Sequence, residues 1–348
     1  MSNLTSFSIV YEASLQYNGT NSTLVLKDSK TAKGFKVVAY VAVLIVAITG
    51  NLFVVSAMKT DCRGKLRKFT YLVITSIAIS DLLMAAMSIP ERITRVLAED
   101  QWLVAGTGGE ILCKAVNFVE KVSITVSALH VMALALRRFL AVFKPPASLT
   151  WKSYRNSILV ISLMWLFSAL YWSPVLYYGG LLVVPGSGLY CKVRYFYPQW
   201  RTSYLVFLIL LLGILVLVLV LYSAIWFKLL CSKTLREQQV GMASLVRRKT
   251  TTMVAVLVAT FYACFLPYWI GWILCSYQQV FCNKIFTFIS IYLTHASVAV
   301  NPFICLTFSR HYRQALGEIL PFSTRERRAK TRAHGKAKVR SPRERYAI

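Results

Sequence analysis

Apolar positions along this chain neither alternate, as in a half-buried sheet, nor recur only every third or fourth residue, as on a surface helix. They run on for about 20 residues or more, seven times over. The runs extend from Phe35 to Met58, Phe69 to Ile89, Ile111 to Phe143, Ser157 to Val175, Tyr204 to Leu230, Thr250 to Cys275 and Ile285 to Phe308. A hydrocarbon core of roughly 30 Å takes about 20 helical residues to cross, so each run predicts one membrane-spanning helix. The fifth is the plainest. Between Tyr204 and Tyr222 almost everything is Leu, Val or Ile, and no face of such a helix suits water.

The polar connections orient these helices, because an excess of Lys and Arg marks the cytoplasmic side. The first connection holds Lys59, Arg63, Lys65, Arg67 and Lys68; the third spans Lys144 to Arg155; the fifth holds Lys228, Lys233, Arg236, Arg247, Arg248 and Lys249. The alternate connections carry Glu91, Glu99, Asp100 and Glu110, or the region around Cys191. The N-terminus is therefore predicted outside and the C-terminus in the cytoplasm, which an odd number of crossings satisfies. Three Asn-x-Ser/Thr acceptors at Asn3, Asn18 and Asn21 fall on that outer side and are expected to carry glycans. The first thirty or so residues lack the charged start and apolar core of a cleavable signal, so the first span is expected to serve as its own insertion signal.

Composition agrees, with 57% of the residues apolar; a soluble chain is excluded as the default. The net charge of +27 would suggest nucleic acid for a soluble protein. Here the cations from Arg325 to Arg345 sit on a tail beside a membrane, where anionic lipid headgroups contribute about 1 kcal/mol per nearby cation, so no nucleic-acid partner is assigned. The chain divides into an outer glycosylated segment (1–33), one membrane domain (34–308), a short amphipathic helix on the inner membrane surface (309–320) and the basic tail (321–348). In the short helix Phe308, Tyr312, Ala315 and Leu316 share one face. No Cys follows it, so no palmitoyl anchor is expected there.

Cys113, at the outer end of the third run, and Cys191, in the second outer connection, share an oxidising compartment and are expected to pair. Cys275 and Cys282 either staple the last outer connection or remain thiols. Cys62 and Cys231 face the cytosol and should stay reduced. The second outer connection reads Leu181-Leu-Val-Val, Pro185-Gly-Ser-Gly, Leu189-Tyr-Cys-Lys-Val, which is strand, turn, strand, and predicts a β-hairpin.

Landmark residues then recur in a fixed order. The first span has Gly50-Asn51, the second Ala78-Ile-Ser-Asp81, the fourth Trp165 and then Pro174, the sixth Phe261 to Pro267, and the seventh Asn301-Pro302; Cys113 opens the third span and Arg138 lies near its close. This set, over roughly residues 35–320, resembles the rhodopsin-like G protein-coupled receptors, and the hairpin, a cavity rimmed by Glu91, Glu110, Lys192, Arg194 and Arg201, and the aromatics Tyr190, Tyr195, Phe196 and Trp200 resemble their neuropeptide-binding branch. The resemblance implies a receptor rather than an enzyme, placed in the plasma membrane, with an extracellular peptide or small-molecule ligand, a heterotrimeric G protein and arrestin as partners, and no cofactor. Asp81 is an acid in mid-membrane, where an unpaired charge costs several kcal/mol, so it should face inward and have a partner. By the resemblance that partner is an allosteric sodium ion shared with Ser127, Ser297 and Asn301; a polar network without an ion is the other reading.

Departures from the family pattern cluster on the inner side. Where the family has an acid, then Arg, then Tyr, this chain has Arg137-Arg138-Phe139, so the carboxylate that restrains the arginine is replaced by a like charge. Cys305 stands where the family has Tyr, Ile214 where a Pro is usual, and Phe265 where Trp is frequent, while Tyr222 is kept. Arg137, Arg138, Tyr222, Phe265, Asn301, Pro302 and Cys305 thus form the expected coupling switch, altered toward raised basal activity or toward a receptor-like protein that does not couple.

Glu120 is a second intramembrane acid, with Ile124 following on its face and His295 expected opposite in the seventh span. A Glu–His pair would bind a cation or titrate with pH, unless it is a satisfied interhelical contact or Lys121 neutralises the acid. His295 stands where opsins carry the retinal lysine, so a visual pigment is not expected. A carboxylate at Glu120 would suit a biogenic amine, but the all-aliphatic fifth span lacks the serines such receptors present. Tyr268 and Trp272 on the sixth span complete the expected ligand set, under a mouth rimmed by Glu91, Glu110, Lys192, Arg194 and Arg201.

Overall fold

The computed structural model describes residues 28–59, 68–143, 153–186, 188–193, 196–233, 242–278 and 284–319. The glycan acceptors Asn3, Asn18 and Asn21, the basic tail, Arg194, Cys62 and Cys282 lie outside them, and with Cys282 the second outer disulfide. Among the described residues seven helices are long and apolar enough to cross a membrane: Lys30–Lys59, Phe69–Leu97, Gly106–Phe143, Tyr154–Tyr178, Trp200–Lys228, Thr251–Leu274 and Ile285–Phe308. A helix is the form an isolated span must take, because hydrocarbon offers its backbone no other partner.

The structure differs from the expected boundaries in two instructive places. Helical structure in the second span continues beyond Ile89 to Leu97, through Pro90, and so draws Glu91, Arg92 and Arg95 into the bundle. The fourth breaks at Ser173, whose N–H donates to Leu170 at 3.3 Å, and resumes as Pro174–Tyr178. Proline at the first position of a helix costs nothing, since the N–H it lacks would have no helical partner there.

In the fifth span both faces are apolar, so the inward stripe is chosen by period alone. Tyr204, Phe207, Leu208, Leu211, Val218, Leu221 and Ile225 are buried, while Ile209, Leu210, Val216 and Leu219 point outward, as lipid-facing side chains do. The first and seventh spans meet at Gly50, where an added Cβ would stand 2.8 Å from Pro302 Cγ and 2.9 Å from its Cβ. Beside it Asn51, buried, donates to the carbonyls of Ala47 and Val298, each at 2.9 Å. Gly50→Val is expected to push these spans apart at a cost of about 1–3 kcal/mol, read as a lowered unfolding temperature of purified protein; an unchanged temperature would refute the close approach.

On the outer side, β1 (Gly180–Val184) and β2 (Gly188–Lys192) pair antiparallel, with Leu181 opposite Cys191, and Gly186 in the turn has φ +75°. Cys191 is bonded to Cys113 with the Cα atoms 5.6 Å apart. Trp102 from the first outer connection packs on this disulfide, and its backbone N–H donates to Leu189 O at 2.7 Å. On the inner side the helix Arg310–Ile319 follows the seventh span, with Tyr312 and Ala315 buried on one face and Arg313 capping the Leu306 and Thr307 carbonyls at 2.9 and 2.5 Å.

Candidate functional site

Three polar clusters lie one above another inside the bundle. The outermost is built on Glu120, buried on the third span. Lys121 Nζ approaches it at 3.3 Å, and Arg92 of the second span reaches it at 3.3 Å. Arg92 also lies 3.4 Å from Glu91, which is ion-paired with Arg95 one helical turn on. Glu91 is therefore not on the rim of the mouth, as the sequence suggested, but buried in this cluster, because the helix carries on past Ile89. Glu110 does lie toward the outside, paired with Lys114 at 2.8 Å.

His295 is fully buried and close enough to Glu120 and Arg92 to interact electrostatically, but it makes no direct bond to either. Its Nδ1 faces Ile291 O at 2.8 Å, and its Nε2 has no hydrogen-bond partner among the described residues. Tyr40 of the first span stands edge-on to it, with ring centroids 5.9 Å apart. Tyr268 is within electrostatic reach of Arg92 and Lys121 and hydrogen-bonds with Tyr204, whose ring in turn lies 4.4 Å from that of Trp272. The structure thus gathers Glu120, His295, Tyr268 and Trp272 on one level. Arg92 and Tyr40, which the sequence reading missed, belong with them; an Arg two residues past Pro90 at the end of an apolar run was the available signal.

Ile124 sits one level down. It lines a cavity with Asp81, Ser123, Ser127, Ser297, Asn301, Phe261 and Phe265. Asn301 Nδ2 donates to Asp81 Oδ2 at 2.8 Å, and Ser127 shares a hydrogen bond with Ser80 at 3.2 Å. Ser123 is buried with a hydroxyl that has no partner among the described residues. One carboxylate, an amide oxygen and three hydroxyls around one cavity are a hard, oxygen-only donor set of single negative charge, which fits one small monovalent cation. Phe265 packs against Phe261 at 4.6 Å and Trp269 at 5.6 Å, so an aromatic stack fills the sixth span above Asp81 even without the frequent Trp.

The innermost cluster is the expected switch. Arg138 donates to Thr70 Oγ1 of the second span at 2.8 Å, and its Nε has no hydrogen-bond partner among the described residues. Among the described residues no carboxylate pairs with Arg137 or Arg138. Tyr222 lies within electrostatic reach of Arg138, and its hydroxyl has no hydrogen-bond partner among the described residues. Cys305 is buried as a free thiol and borders, with Asn51, Asn301 and Pro302, a second small cavity. Burial holds the Tyr312 phenol, on the surface helix, well above the usual tyrosine range. Its ring meets that of Tyr71 edge-on at 5.7 Å, which ties that helix to the second span.

A fourth polar group has a structural part. Ser76 Oγ accepts from Trp165 Nε1 at 2.8 Å and lies 3.0 Å from His130 Nε2, joining the second, third and fourth spans. His130 is thereby a satisfied core histidine.

Residues 50–304 match the family described as seven-transmembrane receptors of the rhodopsin family. Among curated relatives, a galanin receptor 2a of Danio rerio is 25% identical over 295 residues, covering 82% of this chain and 77% of its own. A neuropeptide Y receptor type 1 of Xenopus laevis is 24% identical over 296 residues, covering 80% of this chain and 78% of its own. A gastrin/cholecystokinin type B receptor of Sus scrofa is 29% identical over 177 residues, covering 51% of this chain and 38% of its own.

Proposed function

The chain belongs to the rhodopsin family of seven-transmembrane receptors, the class A G protein-coupled receptors, and on that premise we propose that it binds an extracellular peptide and signals with raised basal output. The peptide enters under the hairpin between the third, fifth, sixth and seventh spans, onto the level of Glu120, Tyr268, Trp272 and His295. What carries this reading is that level: a buried ionic cluster beside an aromatic wall, beneath a hairpin covalently tied to the third span. Relatives that include a neuropeptide Y receptor support a peptide over an amine. A biogenic amine is disfavoured at Glu120, whose carboxylate already faces two cations.

Binding is a population shift. The ligand moves the receptor toward an outward-swung sixth span only by as much as it prefers that form, and Pro267, which removes one helical hydrogen bond, supplies the bend. Opening presents Arg138, Tyr222 and the inner ends of the fifth and sixth spans to a heterotrimeric G protein, and later to arrestin, while the basic tail engages anionic lipid. Asp81, Ser127, Ser297 and Asn301, with Ser123 added, would hold a sodium ion that ties the second, third and seventh spans in the closed form. With no acid to hold Arg138, the closed form is under-restrained. Full-length protein in nanodiscs is expected to accelerate nucleotide exchange on a G protein panel without ligand, relative to empty discs; no acceleration across the panel, with or without peptide, would identify a receptor-like protein that does not couple.

A further inference from the structure

We propose that the ligand is recognised through an anionic group, a carboxylate, taken up by Arg92 and Lys121. This rests on the reading of the Glu120 level as the ligand site and names the chemistry that the site selects. The count of charges is the first argument. Three cations, Arg92, Arg95 and Lys121, face two carboxylates, Glu91 and Glu120, in one connected cluster. In a membrane interior a surplus cation is as costly as a surplus acid and marks a place where a counter-charge belongs.

Donors exceed acceptors in the same way. A guanidinium has five N–H groups and an ammonium three. Arg92 places one bond on Glu120 at 3.3 Å, and its Nε has no hydrogen-bond partner among the described residues. Lys121 places one bond on Glu120, also at 3.3 Å. These are long for charge-assisted bonds, so Glu120 engages neither cation fully. A ligand carboxylate adds a second acceptor for Lys121 and, for Arg92, one that can come closer than Glu91 Oε2 at 3.4 Å, and the planar Arg fork suits bidentate capture.

The position of the cluster supports entry from outside. Arg92 keeps 21% of its side chain exposed, whereas Glu120 keeps 8%. An incoming group therefore meets the cation before the acid. A cationic ligand would have to part Glu120 from two cations and then sit beside both. Tyr268 and Trp272 offer the ring surface that the rest of an aromatic or aliphatic ligand would cover.

The test is affinity selection on the full chain in neutral-lipid nanodiscs, with a random hexapeptide pool made in two forms, one with a free C-terminal carboxylate and one with a C-terminal amide. Retained peptides are identified by mass spectrometry against empty discs. The wild type is expected to retain peptides enriched in Asp or Glu, or to prefer the free-acid form; the two pools separate a side-chain from a terminal carboxylate. Enrichment should fall about tenfold in Arg92→Gln, the loss of a charge-assisted bond, and rise in Glu120→Gln, which removes the internal competitor. Should Arg92→Gln not fold, comparing the Arg92→Gln/Glu120→Gln double variant with Glu120→Gln alone measures the same step. Peptides enriched in Lys or Arg, or retained without preference for acid, would overturn the anionic site and leave a peptide receptor standing. Acid enrichment that survives the loss of Arg92 in either background overturns the assignment to this cluster. No retention above empty discs would overturn the peptide site itself, and the charge assignment with it.

Discussion

Arg137→Asp is expected to cut ligand-independent signalling about tenfold, the factor that one charge-assisted contact of about 1.4 kcal/mol supplies to a two-state equilibrium. Arg138 is held in this structure by one hydroxyl, Thr70 Oγ1, at 2.8 Å. That is a bond between a charged donor and a neutral acceptor, and no carboxylate among the described residues strengthens it. Its neighbour in sequence is a second arginine, half-buried, whose charge opposes keeping Arg138 in place. An aspartate there removes the repulsion and adds an attraction, both in the form that keeps Arg138 inside the bundle. Arg137→Ala removes the repulsion alone and should fall between. Thr70→Val withdraws the hydroxyl and should move basal output the other way. The measurement is second-messenger output in ligand-free cells matched for surface receptor. Basal output that stays level across Arg137→Asp and Thr70→Val would show that the Arg138 contact does not set the resting equilibrium.

The spans were legible because a continuous apolar run of membrane length has one stable form, and the hairpin because Pro185-Gly-Ser-Gly interrupts two short β-prone segments. What the sequence could not supply was the partner of each buried charge. Arg92 and Glu120 are 28 residues apart, Thr70 and Arg138 are 68, and Ser76 and Trp165 are 89. No local window contains both members of such a pair. Glu91 shows how the error arises. Hydropathy falls after Ile89, so the charges beyond it read as an outer rim, yet the helix continues and Arg92 and Arg95 turn with Glu91 into one another's reach, which offsets the cost of burying them. Ile124 shows the opposite case. It follows Glu120 by one helical turn, which is the right face but the level below, where it lines the Asp81 cavity.

Cys113→Ala is expected to cost about 2–4 kcal/mol of stability, and to weaken ligand binding with it. The bond closes 78 residues of chain and joins the outer end of the third span to β2. It also positions more than itself. Trp102, Leu181 and Leu189 pack on the two sulfurs, and Asn117 donates to Cys113 O at 2.8 Å and to Cys191 Sγ at 3.2 Å, so the hairpin, the first outer connection and the third span meet at one point. Without the bond the hairpin keeps its strand pairing but loses its fixed place over the Glu120 level, and the entropy of ordering it falls on the ligand. Cys191→Ala and the Cys113→Ala/Cys191→Ala pair should match Cys113→Ala in unfolding temperature, since either substitution already ends the same bond. Trp102→Ala, which leaves the disulfide and removes its packing, should lower stability by less. Additive losses for the two cysteines would show that each side chain acts through its own contacts, and that the hairpin is held by packing rather than by the covalent tie.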